Sequence, residues 1–294
     1  MPRSSRGLAL LALLALGLAA CDDASVEPVL DTGRPFTLWG ALDPRADLQG
    51  LRVIPIRLQL DAEEGGPAEA VVTVEDLGTG EVLTLRDSLV RFSSGLTGSV
   101  YVGDFRPAYE GRYRVTATRD DGAASTAVVE VPPLTEPVVF LPQTIPGDVV
   151  SSVLWPEAPR VNAVTVTYLG RRADCSTDPV TLVLDEDEVL PAKIGWEVRL
   201  PLRLQREAVL AGLGTDRATI LSVTLRGLVT DAEWAAPFGF SFDDEVLTEP
   251  TTLTNVENGF GFVGAGYATE VEWRLDDETL QSAGYQPQAF GSCG

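Results

Sequence analysis

The chain has 294 residues, 45% of them hydrophobic, so it is long enough for two packed cores and too apolar to be disordered. Its 22 basic and 43 acidic residues leave a net charge of −21, which sets it against nucleic acid and against anionic lipid headgroups. It has no histidine, and that absence removes Ser-His-Asp and Cys-His catalysis, His-ligated zinc and any histidine general base.

The first predicted element is an export signal over residues 1–20. Arg3 and Arg6 form a basic segment, and Leu8 to Leu18 is an uncharged run of Leu, Ala and Gly. That run is shorter than the roughly 20 apolar residues of a membrane-spanning helix and has the length of a signal-peptide core. It ends in Leu18-Ala19-Ala20-Cys21, a pattern similar to the lipobox of bacterial lipoproteins, with Cys21 as the thiol that receives the lipid. Each buried acyl CH₂ contributes about 0.8 kcal/mol, so a diacylglycerol with an added N-acyl chain gives lasting anchorage to a membrane. Without residues 1–20, 20 basic groups face 43 acidic ones, a net charge of −23.

Residues 21–33 are polar and aperiodic and read as a flexible tether. Residues 34–133 read as an immunoglobulin-like β-sandwich. Phe36 to Trp39 and Leu51 to Leu60 are strand candidates. Ala70 to Glu75 and Glu81 to Leu85 flank Asp76-Leu77-Gly78-Thr79-Gly80, a hairpin signal. Ser99 to Phe105 follows. Then Gly111 to Thr118, the turn Asp120-Asp121-Gly122 and Ser125 to Val131 form a last hairpin closed by Pro132-Pro133. Tyr113 stands where a tyrosine corner would return its hydroxyl to nearby backbone.

Residues 134–294 read as a second, less regular β-rich domain. Its strand candidates are Val138 to Leu141, Val161 to Tyr168, Val180 to Leu184, Trp196 to Leu200, Ile220 to Leu225 and Tyr267 to Leu275. In the last, Tyr267, Thr269, Val271, Trp273 and Leu275 share one face and Glu270, Glu272 and Arg274 the other. A helix is expected over Arg203 to Leu213, stopped by Gly214, and a short helical turn from Asp231. The fold class is therefore all-β with one or two short helices.

With Cys21 lipidated, Cys175 and Cys293 remain, and an oxidising compartment predicts a disulfide between them, the alternative being two buried thiols. The acidic clusters Asp185 to Glu188, Asp243 to Glu245 and Asp276 to Glu278 read as solvated turns. Asp185, Asp187, Asp243 and Asp244 are the residues a calcium ion would use, although no D-x-D-x-D-G loop is present. Trp155 and Trp234 are the candidates for a ligand-stacking surface, weighed against ordinary core packing. Thr254 to Tyr267, with Gly259, Gly261, Gly264 and Gly266, reads as a structural turn; it precedes a strand and lacks the Lys-Ser/Thr of a phosphate loop. No catalytic residue and no cofactor is assigned.

The stretch Asn255 to Ala265 (NVENGFGFVGA) resembles the closing motif of an uncharacterised family of Gram-negative outer-membrane lipoproteins, often encoded near TonB-dependent transporters. Leu38-Trp39-Gly40, Ala70 to Gly80 and Gly111 to Gly122 resemble that family's other short motifs, whereas Ala41 to Ile56 departs from it. The resemblance implies a role in an envelope assembly or uptake system with an outer-membrane protein partner, and it favours the outer membrane despite Asp22-Asp23 after the lipid cysteine. It offers no catalytic residues. The expectation is a non-enzymatic, membrane-anchored envelope lipoprotein. The alternatives are a carbohydrate-active enzyme using only Asp and Glu, or a calcium-dependent adhesion module.

Overall fold

The computed structural model describes residues 33–56, 68–91, 97–234 and 254–290. Eight strands make a first sandwich: β1 (Phe36–Leu42), β2 (Leu48–Pro55), β3 (Ala70–Asp76), β4 (Val82–Thr84), β5 (Arg86–Arg91), β6 (Thr97–Asp104), β7 (Arg112–Arg119) and β8 (Ala124–Glu130). One layer runs β1-β2-β6-β5 and the other β8-β7-β3-β4. Taken in chain order, that is the A-B-E-D layer facing the G-F-C-C′ layer of immunoglobulin-like sandwiches. The strands of the second layer alternate inward and outward. Tyr113, Val115 and Ala117 of β7 are buried between exposed or half-buried neighbours. Tyr113 forms the expected corner, its hydroxyl accepting from Ala108 N at 2.8 Å.

A second sandwich follows. One sheet has the order β13-β14-β10-β9, from β9 (Val138–Ile145), β10 (Asp148–Pro156), β13 (Val189–Ala192) and β14 (Gly195–Pro201). Facing it are β12 (Thr177–Val183), β11 (Arg160–Arg171), β15 (Thr219–Thr230) and β17 (Gly259–Trp273). Helix α1 (Leu202–Gly212) packs on β10 and β14 through Leu202, Gln205, Val209 and Leu210, one helical face. It ends at Gly214, whose φ of +65° suits glycine. The two-residue β16 (Val256–Glu257) extends the first sandwich beside β8.

The boundary read after Pro133 separates two hydrophobic cores but not two sheets. A single eight-stranded sheet, β12-β11-β15-β17-β1-β2-β6-β5, runs through both sandwiches. The fifteen-residue β17 splices it. Its first half pairs in parallel with β1, from Phe36↔Gly259 to Leu42↔Ala265. Its second half pairs antiparallel with β15, from Gly266↔Thr230 to Trp273↔Val223. Val256, Val263 and Ala265 thus complete the core of the N-terminal sandwich from the far end of the chain.

The glycine-rich stretch read as a turn is corrected by the same strand. Only Asn258, at φ +51°, turns; Gly259 to Gly266 is strand at the middle of the large sheet. Neighbours on both faces press close to it, so it lacks the polar alternation of a half-exposed strand. A Cβ on Gly261 would lie 2.1 Å from Leu38 O, and one on Gly264 would lie 2.5 Å from Trp234 Cε3. Where a helical turn is expected from Asp231, the described residues form a single hydrogen-bonded turn, with Trp234 N donating to Asp231 O at 3.3 Å, and residues 235–253 lie outside the described residues. A second helix the sequence reading missed, α2 (Asp277–Ser282), starts at the acidic cluster, where the Asp276 carboxylate accepts from Thr279 N at 2.7 Å.

Candidate functional site

The splice point carries the densest set of buried polar contacts. Where β15 ends, Asp231 extends it by one rung: Asp231 N donates to Ala265 O at 3.0 Å, and Ala265 N donates to Asp231 Oδ2 at 2.6 Å. The other carboxylate oxygen accepts from Glu233 N at 3.0 Å. Burial raises the Asp231 pKa to about 6, although these amide donors pull the other way. Two residues further along β17, Asn255 supplies the next rung. Val263 N donates to Asn255 Oδ1 at 3.0 Å, and Asn255 Nδ2 donates to Val263 O at 2.7 Å. Two side chains therefore stand in for a strand on the β17 edge opposite β1, satisfying the backbone of Val263 and Ala265.

Tyr267 ties the connection between the sandwiches to the same strand. Its hydroxyl donates to Pro133 O at 2.6 Å and accepts from Thr135 N at 2.8 Å. Thr135 Oγ1 in turn donates to Pro156 O at 2.6 Å, at the end of β10. Burial and nearby Tyr109 raise the Tyr267 pKa, so the hydroxyl keeps its proton. The Arg45 guanidinium lies 4.5 Å from the Tyr267 ring centroid and donates to Ala268 O. The loop that carries Arg45 is held by Gln49, whose Nε2 donates to Asp43 O and Ala46 O.

A cleft of about 540 Å³ opens over this junction, within the range of small-molecule sites. Leu48, Leu228 and Tyr267 supply apolar walls, and Thr165 and Arg226 supply polar groups. Ala163 lies on its rim at φ +48°, in the bulge where β11 slips register against β15 between Asn162 and Thr165. A non-glycine residue in this region is strained, and the surrounding β11–β15 pairing holds it there. The cleft has one apolar side and an exposed cation, Arg226.

The residues singled out from the sequence are dispersed. Trp155 is corrected as a stacking candidate, because it is fully buried, whereas Trp234 is 1% exposed and lines the junction cleft. Trp155 points inward with Val149, Ser151 and Val153 of β10, and its Nε1 donates to Thr269 Oγ1 at 2.7 Å. Trp234 packs edge-on against Phe262, with ring centroids 5.6 Å apart. Asp185 and Asp187 are exposed around a single 3₁₀ turn, Glu186–Glu188, where Asp185 N donates to Glu188 Oε2. Asp243, Asp244, Cys21 and Cys293 lie outside the described residues. Among the described residues no three His, Cys, Asp or Glu side chains converge as metal ligands. Cys175 is disulfide-bonded. Arg171, four residues earlier, donates to Gln288 O and Phe290 O, which brings the C-terminal end of the chain to the Cys175 turn. The residues the sequence reading missed are Asp231, Asn255 and Arg45. Only an Asn directly before the Val256-Glu257-Asn258-Gly259 turn hinted at one of them.

No family profile and no curated protein matches the chain. Among solved structures, it is similar at 10% identity and a TM-score of 0.21 to a pullulanase from Anoxybacillus sp. LM18-11 complexed with maltotriose, over 65% of this chain and 24% of that one. It is similar at 13% identity and a TM-score of 0.21 to bovine butyrophilin, over 82% of this chain and 99% of that one. The titin fragment A168–169 gives 12% identity and a TM-score of 0.20, over 66% of this chain and 89% of that one. At these scores nothing about this chain follows from them.

Proposed function

We propose that this protein is a lipid-anchored lipoprotein of the bacterial envelope, held in the outer membrane through Cys21, with a non-catalytic binding or assembly role as an accessory to an uptake system. The observation that carries the reading is the single eight-stranded sheet that β17 splices through both sandwiches. Asp231, Asn255 and Tyr267 fix the two cores relative to each other, so the chain acts as one stiff body rather than two beads on a linker. Such a body, on a flexible polar tether after a lipobox-like Leu18-Ala19-Ala20-Cys21, carries a rigid binding face within reach of a membrane. The junction cleft is that face in this reading, because it sits where both sandwiches contribute walls. The strongly acidic surface suits a protein or small-molecule partner rather than nucleic acid.

The test is fractionation and cross-linking of the native protein in its own envelope. Cys21→Ala moves the protein from the membrane fraction to the soluble one, and cross-linking of the parent chain recovers an outer-membrane transporter. Retention of Cys21→Ala in the membrane, or recovery of the uncross-linked chain alone, overturns the reading.

A further inference from the structure

The outward face of the β13-β14-β10-β9 sheet is the least soluble surface among the described residues. On β10, Val149, Ser151, Val153 and Trp155 point into the core, so Val150, Ser152 and Leu154 point out. Their cross-strand partners build two rows on that face. One is Val138–Leu154–Glu197–Leu190 and the other Phe140–Ser152–Arg199. Val138, Phe140, Ile145 and Leu190 are all exposed, and Leu141 beside them is 87% exposed. A groove of about 330 Å³ runs between Phe140, Val150 and the Glu197–Arg199 pair. A solvent-facing sheet of a monomer carries polar residues in such rows, and a contiguous apolar patch marks an interaction surface.

Three features decide what covers it. The edge of β9 does not invite an added strand. Two of its residues, Leu141 and Pro142, oppose the single Ser151, and proline has no N–H to donate, so the ladder is broken in the middle. Contact therefore falls on the face. The face is also nearly balanced in charge, with Asp148 at one end, within a chain of net charge −21. Glu197 and Arg199 are its central charges, joined by two hydrogen bonds of 3.0 and 3.2 Å. Lodging that pair in lipid would strip its water without offering new partners. Against a two-fold copy of itself, however, each Glu197 finds a second Arg199 and each Arg199 a second Glu197. Last, nine residues along β10 at about 3.3 Å each and four strands at about 4.8 Å give roughly 500 Å² per copy. Two copies then bury about 1,000 Å², at the lower bound for a specific interface.

We propose that this face is the contact of a weak two-fold homodimer, in which the exposed apolar side chains Val138, Phe140, Leu141 and Leu190 of two copies pack sheet on sheet and Glu197 of each copy meets Arg199 of the other. An interface at that lower bound is weak, and a membrane-bound population is concentrated enough to pair.

Sedimentation velocity of the full chain in a non-ionic detergent, from about 1 to 200 μM, tests it. The parent chain moves from monomer to dimer across that range. Glu197→Arg and Arg199→Glu each weaken association at least tenfold, and Phe140→Asp abolishes it, while circular dichroism stays that of the parent. Leu141→Asp serves in place of Phe140→Asp should that variant lose its dichroism. An equimolar mixture of Glu197→Arg and Arg199→Glu, which sets two cations against two anions, regains the dimer. A monomer at every concentration, a dimer indifferent to both charge variants, or a mixture no stronger than either variant alone overturns the proposal. So does binding of the parent chain to phosphatidylcholine vesicles that Phe140→Asp removes, because the face would then meet lipid.

Discussion

Asn255 and Val263, eight residues apart, satisfy each other through both backbone groups of Val263, with bonds of 3.0 and 2.7 Å from one side-chain amide. Replacing Asn255 by Ala leaves a partly buried N–H and C=O without partners at the point where the large sheet changes from one sandwich to the other. Each orphaned group costs about 1–3 kcal/mol, so Asn255→Ala lowers the unfolding free energy by about 2–6 kcal/mol. Urea unfolding followed by tryptophan fluorescence measures this as a lower midpoint at unchanged slope. Asn255→Asp keeps the bond from Val263 N and loses less.

Asp231 gives the junction a pH dependence of unusual sign. Its folded pKa is raised from 3.8 to about 6, chiefly by burial. The folded state therefore holds this proton more tightly than the unfolded chain does. The stability it contributes is present at low pH and is lost as pH rises toward about 6. Asp231→Asn cannot ionise, so its stability relative to the parent improves between pH 4 and pH 7, by an amount on the order of 2 kcal/mol. Thermal melts of both proteins across that range check the sign. A stability of Asp231→Asn that falls relative to the parent with rising pH would contradict the burial argument.

Tyr267→Phe keeps the ring under Arg45 and removes only the hydroxyl. Thr135 N and Pro133 O then lose their partner, at a cost of about 1–3 kcal/mol. The expected local signature is faster hydrogen exchange at the Thr135 amide, with amides of β7, far from the junction, changed only by the global loss.

Gly261→Ala forces a side chain into a left-handed residue at φ +93°, with Leu38 O 2.1 Å from the new carbon. No rotamer relieves a clash of Cβ with backbone, so the parallel pairing with β1 must open and the variant accumulates as insoluble protein. Gly80→Ala is the control. It has φ +77° and nothing within 4 Å, so it meets only the backbone cost, about 1 kcal/mol.

Cys175 is disulfide-bonded, and a non-reducing peptide map is expected to link it to Cys293. The two positions are 118 apart, and closing such a loop contributes about 4–5 kcal/mol in the chain-entropy model. Cys175→Ser lowers the melting temperature accordingly, and dithiothreitol brings the parent down to the variant.

The sequence made the N-terminal sandwich legible where one face of a strand meets water. The alternation of β7, the Asp-Gly turn after it and Tyr113 with its corner bond to Ala108 all follow from local pattern. Helix α1 and its glycine stop were legible for the same reason. The joining of the sandwiches was not. The parallel partners Phe36 and Gly259 are far apart in the chain, and the first half of β17 is pressed on both faces, which erases the period-two signal. Trp155 was misread because Pro156 follows it, a position typical of loops. The Val149-x-Ser151-x-Val153-x-Trp155 alternation of β10 was present but masked by a buried serine. The site residues Asp231 and Asn255 work by replacing backbone, a role that depends on which strand ends beside them and leaves no mark in spacing.

The parallel pairing of β1 with β17 sets an order of events for a chain that emerges N-terminus first. Phe36 and Leu38 are available long before Gly259 to Ala265, the segment that covers their edge and completes their core. Until then the early sandwich is a half-closed object with an apolar seam, slow to settle because its decisive contacts span most of the sequence. Once the last strand arrives, a single insertion locks both halves together.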